Sequence, residues 1–196
     1  MELKRNTLLY TNKSALIEYD MSHLKPWIEK AVDEVKDKLH ERPPIKIFGR
    51  VCRQNRDIGF FSDTSIGYRY SNQLAKSIKL TPHLNKLLEY VNEQFESQFN
   101  GILVNRYLDG SCTIGRHSDE EKYLSKIGVL AISYGSSRMF RIRDKKMKKI
   151  IADVPTQSLH ALHMTGDFQK EFTHEIPKQL RVKGLRYSFT FREHTE

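Results

Sequence analysis

From residue 102 onward the chain breaks into short runs rich in Ile, Val, Leu, Phe and Tyr, at 102–108, 126–134, 138–143, 147–152, 159–165 and 185–192. Turn chemistry separates several of them: Asp109-Gly110, Gly135-Ser136 and Thr165-Gly166-Asp167. Short apolar runs divided in this way predict antiparallel strands, closed or sandwiched on one another. The front of the chain reads differently. Leu24, Trp27, Ile28, Ala31, Val32, Val35 and Leu39 fall on one helical face over 24–39, with Pro26 in the first turn. Glu41-Arg42-Pro43-Pro44 ends that helix. Ile45-Lys46-Ile47-Phe48 alternates as a strand, stopped by Gly49. A second helix begins at Thr81-Pro82, with Thr81 as N-cap and Leu84, Leu87, Leu88, Val91 and Phe95 as its apolar stripe, and Asn100-Gly101 stops it. The expectation is an α+β fold, helices first and a β-rich half after them.

At 196 residues the chain is long enough for one domain with a proper core. Residues 1–44 read as an N-terminal helical extension, and 45–196 as the main domain within a single structural unit. No apolar run approaches a membrane span, and the N-terminus lacks the features of a secretory signal. Two cysteines, Cys52 and Cys112, make no disulfide framework, so free thiols in a reducing, intracellular compartment (cytoplasm or nucleus) are expected. A monomer is expected. The formal net charge is +9, which favours a polyanionic partner because neutralised phosphates release condensed counterions.

Arg116-His117-Ser118-Asp119 places an imidazole and a carboxylate two residues apart, on the same side if the backbone is extended. A distant histidine has to complete a metal site. His174 lies just before the last strand. His160 and His163 compete with it, but they sit three apart in an apolar strand, on opposite faces, and read as packing or edge residues. His23, His40, His83 and His194 read as surface residues. Two histidines and one carboxylate form the arrangement of non-haem Fe(II) oxygenases, in which open positions remain for a cosubstrate and O₂. A hydrolytic zinc site with Glu120 or Glu121 as base stays open on chemistry alone.

The last strand adds a second constraint. Arg186, Ser188, Thr190 and Arg192 share one face of an alternating run. A guanidinium fork pairs bidentately with a carboxylate, and two arginines facing a closed interior call for an anionic partner. A dicarboxylate cosubstrate meets that need.

Asn105-Arg106-Tyr107, His117-Ser118-Asp119-Glu120-Glu121, Ser133-Tyr134-Gly135, Arg138-Met139-Phe140, His174-Glu175-Ile176-Pro177 and Arg186 through Arg192 occur in the order and spacing of the AlkB-like dioxygenases, which the chain resembles over roughly 45–193. The resemblance implies a double-stranded β-helix, or jelly roll, with the N-terminal helices packed on the sheet. It implies Fe(II), 2-oxoglutarate and O₂, and oxidative removal of N-alkyl groups, of the 1-methyladenine and 3-methylcytosine type, from DNA or RNA. By likeness His117, Asp119 and His174 would hold iron. Arg192, helped by Tyr107, would take the distal carboxylate of 2-oxoglutarate, and Arg186 and Asn105 the end near the metal. Ser188 departs from the Asn that the family often carries, and its hydroxyl implies a rearranged contact there.

The same likeness extends to substrate. Tyr68-Arg69-Tyr70-Ser71, within the segment 50–75, is similar to the family's nucleotide-recognition segment; Tyr70 would stack on a flipped base and Tyr68 would hydrogen-bond nearby. Glu121 matches an acidic position facing the base edge. Arg56 and Arg138 resemble positions near the nucleic acid. Arg53, Arg56, Arg138 and the basic run from Arg141 to Lys149 are candidate phosphate contacts, although the run also reads as a charged hairpin turn. Two rival readings are an oxygenase acting on a protein side chain and a non-catalytic nucleic-acid-binding module.

Overall fold

A computed structural model describes residues 3–47, 49–70, 73–119 and 127–193. The strands are β1 (Arg5–Tyr10), β2 (Ser14–Asp20), β3 (Pro44–Ile47), β4 (Arg50–Arg53), β5 (Asp57–Phe61), β6 (Gly67–Tyr70), β7 (Gln73–Lys76), β8 (Gly101–Tyr107), β9 (Ile114–His117), β10 (Val129–Gly135), β11 (Met139–Asp144), β12 (Ile150–Pro155), β13 (His160–Gly166), β14 (Phe172–Ile176) and β15 (Arg186–Arg192). The helices are α1 (Lys25–Val35), α2 (Pro82–Gln94) and the single turn α3 (Phe168–Glu171).

Two antiparallel sheets face each other. The larger has the order β1-β2-β13-β10-β15-β8-β5 and the smaller β12-β11-β14-β9. The hairpins β3–β4 and β6–β7 stand apart as two-stranded ribbons. This is the jelly roll that the strand pattern and the family likeness predict. Each central strand of the larger sheet has two unlike faces. Ile102 and Val104 of β8, Leu130 and Ile132 of β10, and Tyr187, Phe189 and Phe191 of β15 pack with Ile28, Ala31 and Val35 of α1 and Leu84, Leu87 and Val91 of α2. The opposite faces turn inward toward the smaller sheet, where Val129, Phe140, Ile142, Leu162, Met164, Phe172 and Ile176 form a second core. Burial of two apolar layers, at roughly 25 cal/mol per Å² of apolar surface, is what holds polar side chains of the inner face in a fixed frame.

The helix signals act as read. The Thr81 side chain accepts from the Leu84 amide, and Pro82 opens α2. Helix α1 is shorter than 24–39 and ends at Val35. The helical extension over 1–44 needs correction: β1 and β2 are the outer strands of the larger sheet, with β2 paired to β13 over seven residues from Ser14 to Asp20. β1 pairs only with its neighbour β2, and the β13 partner that ties this hairpin into the sheet lies some 145 positions downstream of β2. His83 is half-buried, its Nδ1 2.6 Å from Glu34 Oε1, and ties α2 to α1 instead of lying free on the surface. Among the described residues no helix is long and apolar enough to cross a membrane.

Candidate metal and cosubstrate site

The inner face of β15 carries Arg186, Ser188, Thr190 and Arg192, all buried. Register on β8 sets Tyr107 opposite Arg186 and Asn105 opposite Ser188; on β10, Ser133 lies opposite Ser188. The alternation that hides Tyr187, Phe189 and Phe191 under the helices therefore lines the cavity with polar groups. From the smaller sheet come Ile114, His117, Phe140, His174 and Ile176, and from β13 Leu162 and Met164.

His117 and His174 are cross-strand partners on β9 and β14. Asp119 lies two residues beyond the end of β9, off the ladder. Ligand atoms of His117, Asp119 and His174 all fall within 4.8 Å of one another. His117 Nε2 is 3.8 Å from Asp119 Oδ1, and His174 Nε2 is 3.5 Å from Asp119 Oδ2. His117 donates from Nδ1 to the Gly115 carbonyl at 2.8 Å, which turns Nε2 toward Asp119 as the lone-pair nitrogen. The His174 ring stacks on Phe140 at 4.9 Å between centroids. The Asp119 main chain is held as well, its amide donating to Gln169 Oε1 at 2.8 Å.

Burial pushes His174 down to about 3, and the neighbouring His117 adds to the shift. Burial also lowers His117. Burial works against the Asp119 carboxylate, but Arg192, His174 and His117 outweigh it and hold the carboxyl well below the usual range. Neutral imidazoles beside an ionised carboxylate are the protonation states a divalent metal requires.

The two arginines divide the cavity the opposite way from the likeness-based expectation. Arg192 donates from Nη2 to Asp119 Oδ1 at 2.9 Å, so it belongs to the donor end. Arg186 lies at the other end, its guanidinium carbon 5.1 Å from the Tyr107 ring centroid, and donates from Nη2 to Ser133 Oγ at 2.9 Å. The strand direction requires this, because Arg186 and Arg192 sit at opposite ends of β15. Nε and Nη1 of Arg186 are buried with no hydrogen-bond partner among the described residues.

Other expected residues fall in different places. Arg56 is buried, lines the cavity and donates from Nε to Asn105 Oδ1 at 2.7 Å. It also borders an outer groove beside His40, Pro43, Gln54 and Lys76. Arg138, expected near the nucleic acid, is instead enclosed within the protein. Only 1% exposed, it donates to the carbonyls of Asp109, Cys112 and Pro177 at 2.8–2.9 Å. These acceptors converge from loops far apart in sequence and enclose the guanidinium. A Cβ at Gly110 would collide with the Gln179 carbonyl, so the loops Arg138 ties together are also in close backbone contact. Arg141 pairs with Asp153 and Arg143 with Glu175, which commits the first part of the basic run to the smaller sheet. Lys146, Lys148 and Lys149 stay exposed at the hairpin tip. Arg53 is exposed on β4. Tyr68 and Tyr70 are on β6, their side chains outside the described residues; Ser71 and Glu121 lie wholly outside them. His163 donates to the Ile127 carbonyl and His160 lies 3.2 Å from Glu18, both away from the donors, as packing residues do. Both cysteines are free. Sequence reasoning did not find Phe140 or Gln169 as supports of the ligands. Their effect depends on neighbours brought close only by the fold.

A jelly roll with two histidines and one carboxylate converging inside it defines a non-haem metal oxygenase type of site. Residues 19–192 match the model of the 2OG-Fe(II) oxygenase superfamily, and the chain belongs to that family. The DNA oxidative demethylase ALKBH2 of Arabidopsis thaliana is 29% identical over 178 residues, covering 77% of this chain and 57% of that protein. ALKBH2 of Mus musculus is 29% identical over 157 residues, covering 76% and 66%. The alkB homolog 3 dioxygenase of Bos taurus is 29% identical over 124 residues, covering 57% and 43%. The chain thus spans between about two-fifths and two-thirds of the length of these relatives. The solved structure of OsALKBH1 superposes with a TM-score of 0.63 at 14% identity, over 96% of this chain and all of that one, a likeness of fold.

Family membership brings Fe(II), 2-oxoglutarate and O₂ as cofactor and cosubstrates. The interior fits them on two counts. Its donor set has the ligand types and the protonation states of such a centre. At the far end, the two buried Arg186 nitrogens have the unmet hydrogen-bonding capacity that a carboxylate satisfies.

Proposed function

We propose that the protein is an oxidative demethylase that removes N-linked alkyl groups, of the 1-methyladenine and 3-methylcytosine type, from bases in DNA or RNA. The observation that carries this reading is the pairing, on one inner sheet face, of the His117–Asp119–His174 donors with a buried Arg186 awaiting a carboxylate. The relatives named as DNA oxidative demethylases and the net charge of +9 favour a nucleic acid as the substrate.

His117, Asp119 and His174 would hold Fe(II). When bound, the iron, 2-oxoglutarate and O₂ supply the oxidation of the alkyl carbon, with succinate and CO₂ as coproducts and formaldehyde released from a methyl group. The chain's own residues bind and orient. Arg186 and Tyr107 receive the distal carboxylate. Arg192 balances the charge of Asp119. Arg56 fixes the Asn105 amide within the cavity, and Ser133 and Ser188 add hydroxyls along it. Leu103, Ala131, Leu162 and Met164 give it apolar walls that limit water. Tyr68, Tyr70, Ser71 and Glu121 remain candidates for the base.

The test is mass spectrometry of 1-methyladenine and 3-methylcytosine oligonucleotides, single- and double-stranded, DNA and RNA, with Fe(II), 2-oxoglutarate and ascorbate. Loss of the methyl mass with matching formaldehyde is expected. Consumption of 2-oxoglutarate with a methylated peptide but with no oligonucleotide would overturn it.

A further inference from the structure

His117 and His174 are fixed by the ladder between β9 and β14, but Asp119 is outside every strand. Something else has to set the position of its backbone. Gln169 does so from α3, 50 residues away: its Oε1 accepts the Asp119 amide at 2.8 Å inside the protein. The Gln169 amide is itself oriented. Its Nε2 points to Met164 Sδ at 3.4 Å, so the oxygen is the end turned to Asp119. The Gln169 main-chain carbonyl accepts from Lys145 Nζ at 2.6 Å, which anchors the short helix to the end of the β11–β12 hairpin. Helix α3 runs directly into β14, so Gln169 is five residues upstream of His174 on the same continuous segment.

We propose that Gln169 is a positioning residue of the metal site, which sets metal affinity by locking the backbone of Asp119 at a fixed distance from His174. This rests on the reading that Asp119 is a ligand. Acceptors that orient a ligand commonly change metal affinity by about 10- to 100-fold when removed. The contact to Asp119 is made by the acceptor oxygen, and the Met164 contact of Nε2 only orients it. Gln169→Glu keeps that oxygen, and Gln169→Met keeps the length and volume without it.

Mn(II) binding to the metal-stripped full chain, measured by titration calorimetry beside melting curves taken in chelator, tests this. Gln169→Met is expected to weaken Mn(II) binding at least 10-fold, while Gln169→Glu stays within about 3-fold of the parent, well short of that loss. Met variant affinity equal to the parent's overturns the proposal. So does a folded Glu variant that binds as poorly as the Met variant, and this arm stands even if the Met variant fails to fold. Asp119→Ala run in parallel separates the two layers. If it binds Mn(II) like the parent, the ligand assignment falls and the proposal with it. If it loses binding while Gln169→Met does not, only the role of Gln169 falls.

Discussion

Arg192 and Asp119 form a buried ion pair, Nη2 to Oδ1 at 2.9 Å, between the last residue of β15 and the carboxylate of the His-x-Asp pair. A sheet end and a loop end are thereby joined at the donor cluster. The pair, with His174 and His117, holds this deeply buried carboxyl well below the usual carboxylate range. Arg192 is therefore a partner of the donor set before it is anything else.

Removing that guanidinium should leave the carboxylate uncompensated. Loss of one member of a buried pair costs on the order of 3–5 kcal/mol. Arg192→Met is expected to lower the unfolding free energy of the metal-free protein by about that amount, read from urea titration in chelator. Stability equal to the parent's would mean that solvent or another group already compensates Asp119.

Arg186 carries a ligand prediction. With two buried nitrogens that have no hydrogen-bond partner among the described residues, it should gain more from a ligand than it gives to the free protein. A ligand at about 100 times its Kd adds about 2.7 kcal/mol, which in a chain of this size raises Tm by about 5–10 °C. 2-Oxoglutarate with Mn(II) is expected to give such a shift, and 2-oxobutyrate, which lacks the distal carboxylate, much less. In Arg186→Met the two ligands should become equivalent. If Arg192→Met abolishes the discrimination instead, the two ends of the cavity are assigned backwards.

Much of this site could be read before any fold was known, and the reason is periodicity. Arg186, Ser188, Thr190 and Arg192 alternate with Tyr187, Phe189 and Phe191, so a period of two shows both faces of β15 at once. The cap at Thr81-Pro82 is equally local. Strands β9 and β14 were not legible as strands. Each is five residues or fewer, and each is stabilised by a partner more than 50 positions away. The N-terminal hairpin joins the sheet through the pairing of β2 with the distant β13, which its own sequence does not announce. Arg138 misled because a charged side chain in a basic protein reads as surface; its burial depends on carbonyls from loops at 109–112 and 177, invisible to composition. Which of Arg186 and Arg192 lies beside the donors was not legible because strand direction inside the roll is a tertiary fact.

Arg138 thus carries its own prediction. Arg138→Met deprives the Asp109, Cys112 and Pro177 carbonyls of a charged donor, and hydrogen bonds to charged groups are worth about 1.5–3 kcal/mol each. A loss of at least ~3 kcal/mol in unfolding free energy is expected. The salt dependence of oligonucleotide binding should not change, because a residue this buried neutralises no phosphate. A variant that folds with parental stability but binds nucleic acid with a shallower salt slope would restore Arg138 to the interface.

His163 gives the pH prediction. It is buried against the Tyr19 and Phe95 rings, its Nε2 donates to the Ile127 carbonyl at 2.8 Å, and burial lowers its pKa in the folded chain. The unfolded chain, with an ordinary histidine near 6.5, binds the proton first as pH falls. Between that value and the lower folded one the unfolded state holds the extra proton, so stability drops with falling pH, by at most about 1.4 kcal/mol per pH unit for one group. Above pH ~6.5 both states are neutral and the effect vanishes. His163→Gln keeps a donor for Ile127 and cannot titrate. The difference in unfolding free energy between parent and variant should therefore be constant from pH 8 to 7 and shift in favour of the variant from pH 6.5 to 5, on the order of the ordinary histidine range. Parallel curves through that window would mean that His163 is protonated as readily folded as unfolded, and that its hydrogen bond, not its neutrality, is what the core requires.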